Sequence, residues 1–136
     1  YRDLKPNNVM IDQNRNIVII DFDRLITQGN ARTRNFPSIF QAPEVNSDEI
    51  SSKCDIYSLG KMIYYILNEE IPDEKESKEL FKKEYRMFQH IYDKCTKIKC
   101  DERPSISELI VDFYSVIING NNEITNRITG ASFKFI

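Results

Sequence analysis

The 136 residues contain no tryptophan, one histidine, four glycines and three cysteines. His90 shares no metal-ligand spacing with Cys54, Cys95 and Cys100, so a zinc site is not indicated and His90 reads as a solvated surface residue. An odd number of cysteines cannot close into a full disulfide set. Free thiols in a reducing compartment, cytoplasmic or otherwise intracellular, are the expectation. Nineteen basic and 21 acidic residues leave a net charge of −2. That gives no electrostatic case for nucleic acid or an anionic membrane as partner. No apolar run approaches the ~20 residues of a membrane span. The opening Tyr1-Arg2-Asp3 lacks an initiator methionine and is not a signal peptide, which predicts a fragment or an incomplete gene model. No internal repeat is evident.

What is present is a globular composition, 40% apolar and 29% charged, in a length suited to one domain or part of one. Such a chain can bury roughly two thirds of its unfolded surface. Val9-Met10-Ile11 and Ile17-Val18-Ile19-Ile20 flank the turn-forming Asp12-Gln13-Asn14-Arg15-Asn16, a β-hairpin signal. That hairpin would set Asn8 and Asp21 on neighbouring strand ends. Residues 24–41, with Gly29 and Pro37, have no clear period and read as a loop.

Ile56, Leu59, Met62, Ile63, Ile66 and Leu67 follow the helical period over 53–69, and Tyr57, Tyr64 and Tyr65 widen the stripe, so this helix is expected to be buried. Ser52-x-x-Asp55 reads as its start signal, with an acid in the first turn. Residues 70–79, around Pro72, read as a loop or weak helix. Phe88, Ile91, Tyr92 and Cys95 predict a helix over about 84–97. Ser105-x-x-Glu108 is a capping box after Pro104, and Ile106, Leu109, Ile110, Phe113 and Ile117 carry that helix to about 119. The polar tail, with Gly120 and Gly130, is expected to be loosely held. The fold class is mainly helical with one small β-hairpin.

The chemistry is concentrated at the start. Tyr1-Arg2-Asp3-Leu4-Lys5-Pro6-Asn7-Asn8 is followed by Asp21-Phe22-Asp23. Asp3 can accept a proton from a hydroxyl. Lys5 can neutralise a moving phosphoryl group. Asn8 and Asp21 offer the hard oxygens that Mg²⁺ prefers. Phosphoryl transfer needs such parts, because its catalysis is mostly positioning and charge stabilisation.

These two strings resemble the catalytic loop and the D-F-G magnesium motif of eukaryotic protein kinases. Ala42-Pro43-Glu44 is similar to the A-P-E motif, and Asp55-Ile56-Tyr57-Ser58-Leu59-Gly60 to the start of the long central helix of the C-terminal lobe. Arg103-Pro104 resembles the late arginine that pairs with the A-P-E glutamate. The Gly-rich loop and the ATP-binding lysine, which in this family precede the catalytic loop, have no counterpart in the sequence. The resemblance therefore covers the C-terminal lobe only, over 1–119, with 120–136 as a polar tail.

The resemblance implies roles residue by residue. Asp3 and Lys5 would be catalytic, Asn8 and Asp21 would hold Mg²⁺, and Met10, Met62 and Ile66 would line or support the adenine site. Arg2 would meet a phosphate on the activation segment, with Thr33 the preferred position ahead of Thr27 and Ser38. Glu44 and Arg103 would form a buried pair, and Asp55 would accept backbone hydrogen bonds from the catalytic loop. Tyr1 stands where histidine is usual, and Asp23 where D-F-G has glycine, whose backbone freedom serves loop switching. Lys5 favours a serine/threonine-type enzyme, whereas Pro37 is the residue tyrosine kinases usually carry. The implied function is Mg-ATP-dependent phosphorylation of a protein substrate, with ATP and the missing N-terminal lobe as partners and the fragment alone inactive. The alternative is a pseudokinase-like or scaffold module, distinguished by what is encoded upstream of Tyr1. A small-molecule phosphotransferase is disfavoured by Lys5-Pro6 and Ala42-Pro43-Glu44.

Overall fold

The computed structural model describes residues 1–26, 38–47, 50–71 and 80–119. Among the described residues the chain is mostly helical with one two-stranded antiparallel hairpin. A single 3-10 turn, Pro6–Asn8, leads into β1 (Val9–Ile11), and β2 (Ile17–Ile19) returns beside it. Proline opens that turn, where its fixed φ fits and no N–H is needed. The register pairs Val9 with Ile19, Met10 with Val18 and Ile11 with Ile17. Asp12 organises the connection: its carboxylate accepts from the backbone N–H groups of Asn14 and Asn16, each at 2.8 Å, and from Asn16 Nδ2 at 3.0 Å. Arg15 takes φ of 67° to close the turn. The pairing ends with Ile20 N–H donating to the Asn8 carbonyl at 3.0 Å.

Helix α1 runs Lys53–Asn68. The expected start signal is only half right. Asp55 lies in the first turn, but the Ser52 side chain caps nothing. Ser51 Oγ accepts from Lys53 N–H at 3.2 Å instead, because Ser52 is already helical (φ −59°, ψ −16°) and its hydroxyl cannot reach forward as a cap does. The burial of α1 is also less complete than its stripe predicts. Ile56, Tyr57, Met62, Ile63 and Tyr64 are buried, whereas Tyr65 and Ile66 are exposed. Gly60 and Lys61 are buried instead. A Cβ on Gly60 would stand 2.6 Å from Cys95 Cβ, so the glycine permits a close helix crossing. Lys61 Nζ lies 5.6 Å from the Tyr57 ring centroid and 6.0 Å from that of Tyr92, the arrangement of a cation over aromatic faces.

The helix expected over 84–97 is a 3-10 segment, Lys83–Phe88, followed by α2, Gln89–Cys95. The Gln89 side chain marks the junction, accepting from Leu80 N–H at 3.0 Å and donating to Asp93 at 2.8 Å. Phe88, Ile91, Tyr92 and Cys95 are nonetheless all buried on one side. Helix α3, Ile106–Asn119, begins with the expected reciprocal cap. Glu108 accepts from Ser105 N–H at 2.7 Å, and Ser105 Oγ accepts from Glu108 N–H at 3.3 Å.

The core lies between α1, α2 and α3: Ile56, Ile63, Tyr64, Phe81, Phe88, Ile91, Tyr92, Cys95 and Leu109 form one buried cluster. His90 is exposed, and Cys54, Cys95 and Cys100 are unpaired thiols. Among the described residues no helix is long and apolar enough to cross a membrane. The calls on most of 70–79 and on the tail from Gly120 lie outside the described residues.

Candidate active site

Asp55 fixes the first residues of the chain. Its Oδ1 accepts from Arg2 N–H at 2.8 Å and its Oδ2 from the Tyr1 amino group at 2.8 Å. The acid in the first turn of α1 is thus turned toward the loop. The Tyr1 ring meets Phe22 edge-on at 5.6 Å, and its hydroxyl donates to the Ile20 carbonyl. Those contacts tie the loop to the end of β2.

The loop's turn then folds polar groups onto Asp3, which is 2% exposed. Lys5 Nζ donates to Asp3 Oδ2 at 2.9 Å. Asn8 Nδ2 donates to the Asp3 carbonyl at 2.9 Å and to Oδ2 at 3.0 Å. Arg24 NH1 reaches Oδ1 at 3.0 Å. Arg24 was not anticipated; it lies in an aperiodic segment, and only its closeness to Asp21-Phe22-Asp23 hinted at a role. Arg2 is buried, with Nε donating to the Arg24 carbonyl at 3.0 Å and its own carbonyl accepting from Gln41 Nε2 at 3.4 Å.

Asn8 turns its amide nitrogen toward Asp3, so Oδ1 is the atom not used on that residue. The strand register brings Asn8 opposite Ile20, next to Asp21. Asp21 is exposed, and its carboxylate is unpaired among the described residues. It has φ of 62° and Arg2 has 67°, the left-handed region that non-glycine residues enter sparingly and that recurs at functional sites. Asp23 is not among the residues with positive φ. In this conformation, therefore, its side chain costs no backbone strain where glycine is usual. Among the described residues no three His, Cys, Asp or Glu side chains gather as a metal cluster. A carboxylate beside an amide oxygen still suits Mg²⁺, which keeps several waters and takes one or two carboxylates plus phosphate oxygens.

Glu44 and Arg103, 59 positions apart, meet in a two-pronged contact: NH1 to Oε1 at 2.5 Å and NH2 to Oε2 at 2.9 Å. Arg103 is buried and donates further to the carbonyls of Lys97 at 2.7 Å, Lys53 at 3.0 Å and Ile98 at 3.1 Å. Its guanidinium carbon lies 5.0 Å from the Tyr57 ring centroid. Lys53 Nζ donates to the Arg103 carbonyl. Burial alone would push the Glu44 carboxyl up, but hydrogen bonds from Arg103 and then the Cys54 thiol hold it below the usual carboxylate range. The same burial, followed by the bond to Glu44, pushes the Cys54 thiol up to about 12. Ala42 packs with Cys54 and Tyr57, fixing the segment before Glu44 to α1.

The remaining sequence candidates are scattered. Met10 is 54% exposed on the hairpin, Met62 is buried in α1, and Ile66 is exposed. Thr27, Thr33 and Pro37 lie outside the described residues.

The model of the protein kinase domain family matches residues 1–133, and the chain belongs to that family. It is 34% identical over 82 residues to a carbon catabolite-derepressing protein kinase of Candida glabrata, covering 57% of this chain and 13% of that protein. It is 35% identical over 89 residues to the SNF1-like protein kinase ssp2 of Schizosaccharomyces pombe, covering 61% of this chain and 16% of the relative. A protein of Dictyostelium discoideum named as a probable serine/threonine-protein kinase is 31% identical over 123 residues, 82% of this chain and 12% of its own length. The chain thus spans only a small part of each of these relatives.

Proposed function

We propose that residues 1–119 are the C-terminal lobe of a protein kinase that transfers the terminal phosphoryl group of ATP to a protein hydroxyl, serine or threonine before tyrosine. Residues 120–136 are then a polar extension of that lobe. The observation that carries this reading is the cluster in which Lys5 and Asn8 hold the Asp3 carboxylate while Asp21 is exposed just beyond β2.

In this reading Asp3 takes the proton of the attacking hydroxyl as general base. Lys5 is close enough to Asp3 to follow the transferred group. Asn8 Oδ1 and Asp21 are the groups that would hold Mg²⁺, and Mg²⁺, when bound, neutralises charge on the phosphoryl oxygens. Met10 lies exposed on the hairpin, where a nucleotide base can cover it. Asp55 sets the loop's geometry, and the Glu44–Arg103 pair anchors the segment that follows the activation loop. Arg2 and Thr33 are the regulatory pair.

The partners are a protein substrate, ATP and an N-terminal lobe that supplies the Gly-rich loop and lysine. Met10, Val18, Ile19 and Phe22 are exposed apolar side chains around the hairpin, a surface that such a lobe can cover. Without that lobe the chain is expected to turn over poorly and to bind Mg-ATP only in the millimolar range, about −4 kcal/mol. Unpaired Cys54, Cys95 and Cys100 suit a reducing, intracellular setting.

The test is phosphorylation of a protein substrate by this chain joined to a compatible N-terminal lobe. Asp3→Asn is expected to lower kcat by about 10²-fold or more, and Asp21→Ala to abolish metal-dependent transfer. Undiminished transfer by either variant removes that residue from the mechanism.

A further inference from the structure

Arg24 touches both buried charged members of the site. Its NH1 lies 3.0 Å from Asp3 Oδ1, and its carbonyl accepts from Arg2 Nε at 3.0 Å. Lys5 and Asn8 take the other carboxylate oxygen, Oδ2, at 2.9 and 3.0 Å. A carboxylate has about four lone-pair sites, so three side-chain donors do not exhaust it. Access, not valence, is what closes the site. Asp3 is 2% exposed, whereas the Arg24 side chain is 26% exposed. The guanidinium therefore covers the Oδ1 side of the carboxylate while part of the Arg24 side chain remains open to solvent. Lys5 and Asn8 belong to the same short turn as Asp3. Arg24 arrives from the segment after β2, so it is the donor that can withdraw without unfolding that turn.

We infer that Arg24 is a latch on Asp3: its guanidinium occludes the base, and a hydroxyl reaches Oδ1 only after that side chain has swung away. The inference rests on the reading of Asp3 as general base. A general base must stand within hydrogen-bond reach of the proton it takes, and Arg24 NH1 occupies that reach here. The backbone of residue 24 stays anchored through its carbonyl to Arg2 while the side chain moves. The Arg24 side chain is still 26% exposed, so an incoming anion can reach its guanidinium, and phosphoryl groups, which guanidinium binds in a fork, are the chemistry that draws it off Asp3.

Carboxyl labelling of the 136-residue chain with a water-soluble carbodiimide and glycinamide, read by peptide mass spectrometry, tests the latch directly. Asp3 is expected to label far more slowly than the exposed Asp101 in the unaltered chain. In Arg24→Ala its labelling should rise several-fold while Asp101 and Asp55 keep their rates. Equal labelling of Asp3 in both chains, with the helical circular dichroism intact, overturns the latch. So does an Asp3 that already labels as fast as Asp101. Should Arg24→Ala lose its helical signal, Arg24→Gln, which keeps length and loses charge, is read by the same two criteria. The labelling does not depend on catalysis. If Arg24→Ala opens Asp3 but a complete kinase carrying Asp3→Asn keeps its activity, the latch stands and the general-base reading falls.

Discussion

Asp3 and Ile91 are almost equally shut off from water, at 2% and 1% exposure, yet their surroundings have nothing in common. Around Asp3 stand donors: Lys5, Asn8 and Arg24 converge on one carboxylate. The adjoining hairpin leaves most of its apolar side chains, such as Ile17 at 71%, in solvent. Around Ile91 lie the rings of Tyr64, Phe81 and Tyr92, with centroids 5.1–5.8 Å apart, together with Leu109 and Cys95. Burial of apolar surface is strong but has no direction, so it can fasten helices without aiming a charge. Charged hydrogen bonds aim well and stabilise little on balance. The helical region holds the molecule together, and the loop–hairpin region orients the groups that do chemistry. Arg103 crosses the divide, a cation packed on the Tyr57 ring and paired with Glu44.

The largest expected effect falls on that crossing point. Arg103→Ala leaves the Glu44 carboxylate without its partner and should lower unfolding stability by about 3 kcal/mol or more, measured by urea titration. Arg127→Ala in the tail is the control; equal losses would make Arg103 an ordinary surface charge. Ile91→Ala should cost about 2–5 kcal/mol through lost burial and the cavity left behind. Gly60→Ala should cost about 1–3 kcal/mol, because a methyl group there meets Cys95 Cβ and forces α1 from α2. On the other side of the comparison, Met10→Ser should change the stability of this chain by less than about 0.5 kcal/mol. A large loss would show that the hairpin is part of the core.

Acid sharpens the contrast further. The folded Glu44 carboxyl lies below its ordinary value, so its contribution is present above the unfolded glutamate value of about 4.3 and is lost as pH falls through the lower folded value. Stability of the unaltered chain should therefore decline more steeply with acid than that of Glu44→Gln, as thermal melts from pH 6 downward would show. The smallest effect is one of reactivity. Burial and then the bond to Glu44 push Cys54 up to about 12, and burial and then Asp112 do the same to Cys95, whereas Cys100 is partly exposed. A disulfide reagent should titrate one thiol in the native chain and all three after unfolding. Two fast native thiols would mean that the α1–α2 contact opens readily.

Local patterns carried the elements. The Asp12–Asn16 turn, the Ser105–Glu108 cap and the buried face of Phe88, Ile91, Tyr92 and Cys95 each depend on residues within a few positions of one another, and such interactions can be read along the chain. The start of α1 and the 3-10 segment before α2 could not be read so, because the backbone angles there follow packing rather than side-chain preference. That positions 44 and 103 belong together was legible only through a family's motif order, since nothing local links them. Lys61 between two tyrosines had no signal at all, and Arg24 on Asp3 had only its place next to Asp21-Phe22-Asp23. An arginine in an aperiodic segment and a lysine inside an apolar stripe both read as solvated charges.

By itself the sequence determined the kinds of groups available: a carboxylate, a lysine and an amide in one short turn, a second acid after a hairpin, and helices with defined apolar faces. Those follow from covalent spacing and local backbone preference. Only the tertiary structure decided which charges lost their water. Desolvation depends on what packs against a group from distant parts of the chain, and it is what turned Asp3, Arg24, Glu44 and Arg103 from solvated charges into paired and oriented ones.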